Sequence, residues 1–178
     1  MRQEIRICGF GGQGVITAAV ILGKAAAVYD GLIACQTQSY GPEARGGAAR
    51  SEVVIANEPI GYPGVHIADV LVAMSQEAFT RYGHEVRPNS IVIIDPDTVF
   101  SCDVPYTVYP VRSTKIAEEL GNVVVANIVM LGALTALSGV VSREAILAAT
   151  LASVPARFKE LNRSALEAGI EAGIGHNS

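Results

Sequence analysis

Two short runs constrain this chain more than any other feature: Val70-Leu71-Val72-Ala73-Met74 and Ile91-Val92-Ile93-Ile94 are apolar at every position. A strand with one face in water alternates polar and apolar residues, whereas a strand apolar throughout is covered on both faces. Helices on both sides of a mostly parallel sheet supply that cover. The surrounding segments agree. Ile5 to Cys8 reads as a first strand, Val15 to Tyr29 as an alanine-rich, proline-free helix, and Leu32 to Thr37 as a second strand. Arg50 to Ile55 and Tyr106 to Tyr109 read as further strands. Ser75, Ser113 and Ser142 stand where they would cap helices reaching Tyr82, Leu120 and Leu151. Val124 to Leu137 reads as a strongly apolar helix, and Pro155 suits the first turn of a last one. The predicted fold is α/β: a single three-layer α/β/α domain with a mostly parallel sheet over residues 1–173, followed by a frayed tail at 174–178.

Half of the 178 residues are hydrophobic and 17% are charged, which suits one folded domain and argues against disorder. The net charge of −4, with no long basic stretch, gives nucleic-acid binding no electrostatic support. The start, Met1-Arg2-Gln3-Glu4, leads straight into a strand rather than a signal peptide. The longest apolar stretch, Val123 to Leu137, is interrupted by Asn127 and Thr135. It falls short of the roughly 18–20 apolar residues of a spanning helix. The expectation is a cytoplasmic protein with no membrane partner.

The 18 glycines point to tight helix–sheet packing or to a small-residue surface facing another chain. An exposed apolar face on the helix 124–137 would also seek a partner. Cys8, Cys35 and Cys102 are far apart, so a disulfide framework, a zinc site or an iron–sulfur cluster held by this chain alone is not expected. Cys8 and Cys35 fall in apolar strand-like runs and read as buried thiols.

Gly9-x-Gly11-x-x-Gly14 follows a strand and opens a helix. Such a turn aims backbone N–H groups and the positive end of a helix at phosphate. A nicotinamide dinucleotide also needs an acid at the end of the second strand. Asp30 is about the right distance along the chain, but it precedes that strand, which ends at Thr37-Gln38. Three readings stay open for the turn: no ligand, a phosphate-bearing ligand other than NAD, or a site shared with another chain.

The long loop Gln38 to Gly47 lies at the same sheet edge if the strands are parallel, where open α/β sheets place ligands. Arg45 offers a planar fork for phosphate or carboxylate, and Tyr40 a ring to stack or a hydroxyl to donate. The plain alternative is a self-contained surface loop in which Glu43 pairs with Arg45 and Arg50. No catalytic set accompanies these loops. His66, His84 and His176 lack metal-ligand spacing, and Asp95 and Asp97 flank Pro96 in a turn that ends a strand. A crevice without acid, base or nucleophile suits one component of a larger assembly.

Gly9-Phe10-Gly11-Gly12-Gln13-Gly14-Val15 resembles the GxGGQGV signature of 2-oxoacid:ferredoxin oxidoreductase gamma subunits. Gln38 to Gly47 with Ser51-Glu52-Val53, Asp69 to Ala73 with Gln76-Glu77-Ala78, and Asn127 with Leu131-Gly132 resemble further family segments. The resemblance spans nearly the whole chain. It implies a domain like the gamma-type domain of pyruvate:ferredoxin oxidoreductase, in a complex that decarboxylates a 2-oxoacid, forms an acyl-coenzyme A and reduces ferredoxin. It places thiamine diphosphate, with magnesium, in alpha and beta chains and iron–sulfur clusters in the beta chain or a ferredoxin-like chain. It leaves no catalytic or metal-binding residue here. Gly11, Gly12, Gln13 and Gly14 become candidates for the diphosphate of coenzyme A, and Arg45 for a phosphate or an interface. Tyr40, Gly41, Glu43 and Asn127 join Arg45 as interface candidates. Tyr62-Pro63-Gly64 and Met74-Ser75-Gln76 look most like the 2-oxoglutarate branch, with pyruvate, branched-chain 2-oxoacid and indolepyruvate relatives as alternatives. A stand-alone dinucleotide-binding oxidoreductase and a non-enzymatic scaffold are the competing classes.

Overall fold

The structure, a computed structural model, describes residues 1–39 and 48–176. The described residues form six strands: β1 (Arg2–Phe10), β2 (Ile33–Ser39), β3 (Ala48–Ala56), β4 (Ala68–Ala73), β5 (Val86–Ile94) and β6 (Val108–Pro110). The α-helices are α1 (Val15–Lys24), α2 (Gln76–Tyr82), α3 (Ser113–Glu119), α4 (Ala126–Ser138), α5 (Arg143–Ser153) and α6 (Lys159–Ile174). One sheet joins the strands in the order β2-β3-β1-β4-β5-β6. β1, β4, β5 and β6 pair in parallel, and β3 runs antiparallel to both β1 and β2. β2 therefore runs in the direction of β1, so Phe10 and Ser39 end their strands at the same sheet edge, and β3 starts there at Ala48.

The all-apolar strands lie centrally, as their patterns require. Val70 and Val72 face one core and Leu71 and Ala73 the other. The layers are unequal. The larger core takes in α1, α3, α4, α5 and α6, while α2 is the α-helix that closes the smaller core through Ala78, Phe79 and Tyr82. Ser75 and Ser142 cap α2 and α5, their hydroxyls accepting from the amides of Ala78 and Ala145.

α4 is not an exposed apolar helix awaiting a partner. Every residue from Ala126 to Thr135 is buried, with the sheet on one side and α6 on the other. A Cβ on Gly132 would run into the carbonyl oxygen of Leu166, and one on Gly169 into that of Val129. The small residues thus serve backbone-to-backbone packing inside the chain.

Three local expectations are corrected. Ser113 is the first residue of α3 rather than its cap; Asp95 does that work across 19 residues, accepting from the Thr114 amide at 2.8 Å and from the hydroxyls of Ser113 and Thr114. β5 begins at Val86 because three extra residues bulge out between the Ala68–Val86 and Val70–Ile91 pairs, around Pro88. The chain does not fray at 174. α6 runs to Ile174, and the His176 ring lies 2.7 Å from the Pro110 carbonyl oxygen and edge-on to Tyr109.

Candidate functional site

The glycine turn leaves the centre of the sheet at Phe10 and enters α1 at Val15. Gly12 (φ 93°) and Gly14 (φ 74°) take the left-handed conformation, which a Cβ disfavours. Gly11 and Gly12 are exposed, and the amides of Gly11, Gly12 and Gly14 make no hydrogen bond among the described residues. No side chain caps α1, so its first N–H groups are also without a side-chain acceptor.

Two carboxamides hold this turn. Gln13 Oε1 accepts from the Phe10 amide at 2.6 Å, while Gln13 Nε2 donates to the Met74 carbonyl, just past β4, at 2.8 Å. Asn127, on the first turn of α4, donates through Nδ2 to the Gly14 carbonyl at 3.1 Å. Asn127 is buried within the chain, and its side chain meets the glycine turn. Gln13 likewise points inward with both ends of its amide engaged. Of the residues predicted for a ligand, Gly11 and Gly12 are exposed, Gly14 is half-buried against Asn127, and Gln13 supports them.

Beside the turn lies a cleft of about 370 Å³ where the starts of α1, α4 and α6 converge. Gly12, Gly14, Asn127, Val154, Phe158 and Asn162 line it. Its lining is mostly apolar, with the carboxamides of Asn127 and Asn162 among its polar groups. Phe158 and Asn162 were not singled out from the sequence. They lie some 30 positions from Asn127, and only the packing of α6 on α4 brings them to the turn.

Tyr40, Gly41, Glu43 and Arg45 lie outside the described residues. Their segment leaves from Ser39 and returns at Ala48, both at the edge that carries the glycine turn. Arg50 stands just inside β3, 3.8 Å from Glu52 and with its guanidinium 5.4 Å from the centre of the Tyr82 ring.

Other candidates are accounted for structurally. Asp30 accepts from the amide and hydroxyl of Ser142 at the opposite edge of the sheet, so it cannot hold a ribose at the glycine turn. Asp95 caps α3, and Asp97 pairs with Arg112, whose hydrogen bond holds the carboxyl below its ordinary value. His66 stacks on Tyr62 with ring centres 5.2 Å apart. Among the described residues no three His, Cys, Asp or Glu side chains are placed to share a metal ion, and no helix is long and apolar enough to cross a membrane.

Residues 4–172 match the pyruvate ferredoxin/flavodoxin oxidoreductase family. The chain belongs to that family. Within it, the chain is similar to the 2-oxoglutarate synthase subunit KorC of Methanocaldococcus jannaschii, with 51% identity over 96% of this chain and 94% of the relative. Similarity to the pyruvate synthase subunit PorC of the same organism is lower, at 29% identity over 92% and 93%. Among solved family members, the keto/oxoacid ferredoxin oxidoreductase gamma subunit of Geobacter sulfurreducens superposes with a TM-score of 0.92 at 42% identity, covering 98% of each chain. The fold described above is thus shared with a solved family member over nearly the whole of both chains.

Proposed function

We propose that this chain is the gamma subunit of a cytoplasmic 2-oxoglutarate:ferredoxin oxidoreductase, which decarboxylates the 2-oxoacid, joins the acyl group to coenzyme A and reduces ferredoxin. The observation that carries the reading is the 51% identity to a 2-oxoglutarate synthase subunit across nearly all of both chains. The chain acts as a scaffold within the complex. Thiamine diphosphate, magnesium and iron–sulfur clusters sit in alpha, beta and ferredoxin-like partners; Cys8, Cys35 and Cys102 lie apart here and supply no cluster of thiolates. Its own contribution to chemistry is the turn Gly11 to Gly14, whose N–H groups and helix start receive the diphosphate of coenzyme A. Arg45 is a second contact for a phosphate or for a partner, and Tyr40, Gly41 and Glu43 belong to the partner interface.

The test is co-expression with the neighbouring thiamine-binding and ferredoxin-like chains, followed by viologen reduction. The complex should reduce viologen with 2-oxoglutarate and coenzyme A in preference to pyruvate. Gly12→Asn, which suits a left-handed backbone but places a side chain over the turn, should raise the KM for coenzyme A and leave thiamine binding unchanged. Failure of the partners to co-purify, or pyruvate preference, would overturn the reading of the complex. An unchanged coenzyme A dependence in the Gly12 variant would remove the ligand from the turn.

A further inference from the structure

The spacing of glycines in the turn has a cause inside the chain. Gly9 does not have a positive φ, so its backbone accepts any residue. The nearest obstacle to a side chain there is Gln13: a Cβ on Gly9 would collide with Gln13 Oε1, the atom that accepts from the Phe10 amide, with Met74 Cβ and Val15 Cγ1 next at 3.1 and 3.2 Å. At Gly14 a Cβ would lie 2.5 Å from Asn127 Nδ2, the atom that donates to the Gly14 carbonyl. Gly12, in contrast, has nothing within 4 Å of the place its Cβ would take. Two of the glycines therefore make room for carboxamides of the same chain, and those carboxamides tie the turn to two different elements. Gln13 ties it to the end of β4, and Asn127 ties it to the start of α4. Between the two grips, Gly11 and Gly12 stay exposed, and their amides make no hydrogen bond among the described residues.

We propose that Gln13 and Asn127 are positioning residues that preset the Gly11 and Gly12 amides for an anionic ligand, and that Gly9 is a glycine in order to admit Gln13. The ligand's identity rests on the coenzyme A reading above; the grip itself does not. Donors fixed before the ligand arrives lose no freedom on binding, so loosening the turn weakens binding without touching the reacting atoms.

The test uses the assembled complex. Asn127→Ala should raise the KM for coenzyme A about tenfold, the loss that goes with one hydrogen bond, and Gln13→Ala, which loses two, at least as much, while kcat and the KM for the 2-oxoacid stay at the parent values. Gln13→Glu supplies a readout that a merely structural role would not move. A protonated carboxyl reproduces the amide's pattern, its carbonyl accepting from Phe10 and its hydroxyl donating to the Met74 carbonyl. The ionised form has no donor for Met74. The coenzyme A KM of Gln13→Glu, taken relative to the parent at each pH, should approach parity as pH falls towards the carboxylic acid range of about 4–5, and rise above it. A flat ratio overturns the proposal. Denaturant unfolding of the full chain reads the grip with no ligand present: Gln13→Ala should cost much less in a Gly9→Ala background than alone, since the methyl group introduced at position 9 has already displaced the carboxamide. Additive costs would overturn it. If Gly12→Asn raises the coenzyme A KM and the Gln13 and Asn127 variants do not, the turn binds the ligand without being preset, and the positioning role is wrong. If none of the three moves it, coenzyme A is not the ligand and the proposal falls with that reading.

Discussion

Asp30 and Ser142 are joined by two hydrogen bonds across 112 residues: the carboxylate accepts from the Ser142 amide and from its hydroxyl, both at 2.7 Å. The pair anchors the start of α5 beside the π-helical turn Ala25–Tyr29 that ends the first helical segment. Asp30→Ala should therefore lower unfolding stability by about 1–2 kcal/mol, the cost of a lost helix-start anchor. In the complex it should leave the KM for coenzyme A unchanged. Chemical denaturation and steady-state kinetics check the two halves of that statement.

Arg6 is buried in β1, and its guanidinium meets Glu52 at 2.9 Å, Glu85, and the Val65 carbonyl at 2.7 Å. Removing one partner leaves a charge with nothing comparable to replace it, because Arg50 approaches Glu52 only to 3.8 Å. Arg6→Met should cost about 3–5 kcal/mol. Adding Glu52→Gln should recover part of that loss, and urea unfolding of the two variants measures the coupling.

The contact between α4 and α6 depends on having no side chain at Gly169, where a Cβ would overlap the Val129 carbonyl oxygen. Gly169→Ala forces the helices apart along their length. It should cost about 3 kcal/mol or more, or abolish soluble expression. Thermal unfolding and yield are the measurements. Alanine at Gly31, which has φ 67° but nothing within 4 Å of its Cβ position, is a milder comparison.

Burial pushes the Cys8 thiol from 9.0 up to about 12. A folded value above the unfolded one stabilises the neutral form, so this contribution is complete below pH 9 and is lost as pH rises from 9 towards 12. Cys8→Ala should flatten that part of the alkaline stability profile. In native protein a thiol reagent should modify exposed Cys102 rapidly, and Cys8 only on unfolding.

Patterns of a few residues were legible without coordinates. The all-apolar runs gave central strands, and the caps at Ser75 and Ser142 act on amides three residues away. The hidden features join positions far apart in the chain. Asp95 caps α3 from another element, and nothing near Ser113 signals that competitor. The apolar composition of α4 fits both an exposed docking helix and a buried one; the packing of α6 decides, and no local periodicity encodes it. At the site, the glycine spacing marked the turn, but the same spacing arises whether the small residues admit a ligand or admit Gln13 and Asn127. The 113-residue separation of Gly14 and Asn127 puts that distinction beyond a local reading.

β1 precedes both of its sheet neighbours, β3 and β4, in the chain. Its apolar residues, Ile5 and Ile7 among them, have no sheet to join until Ala48–Ala56 and Ala68–Ala73 have left the ribosome. A nascent chain halted in between carries an unmatched strand. Such a strand is the kind of sticky segment that chaperones cover, and it ties safe production of this subunit to uninterrupted translation of its first half.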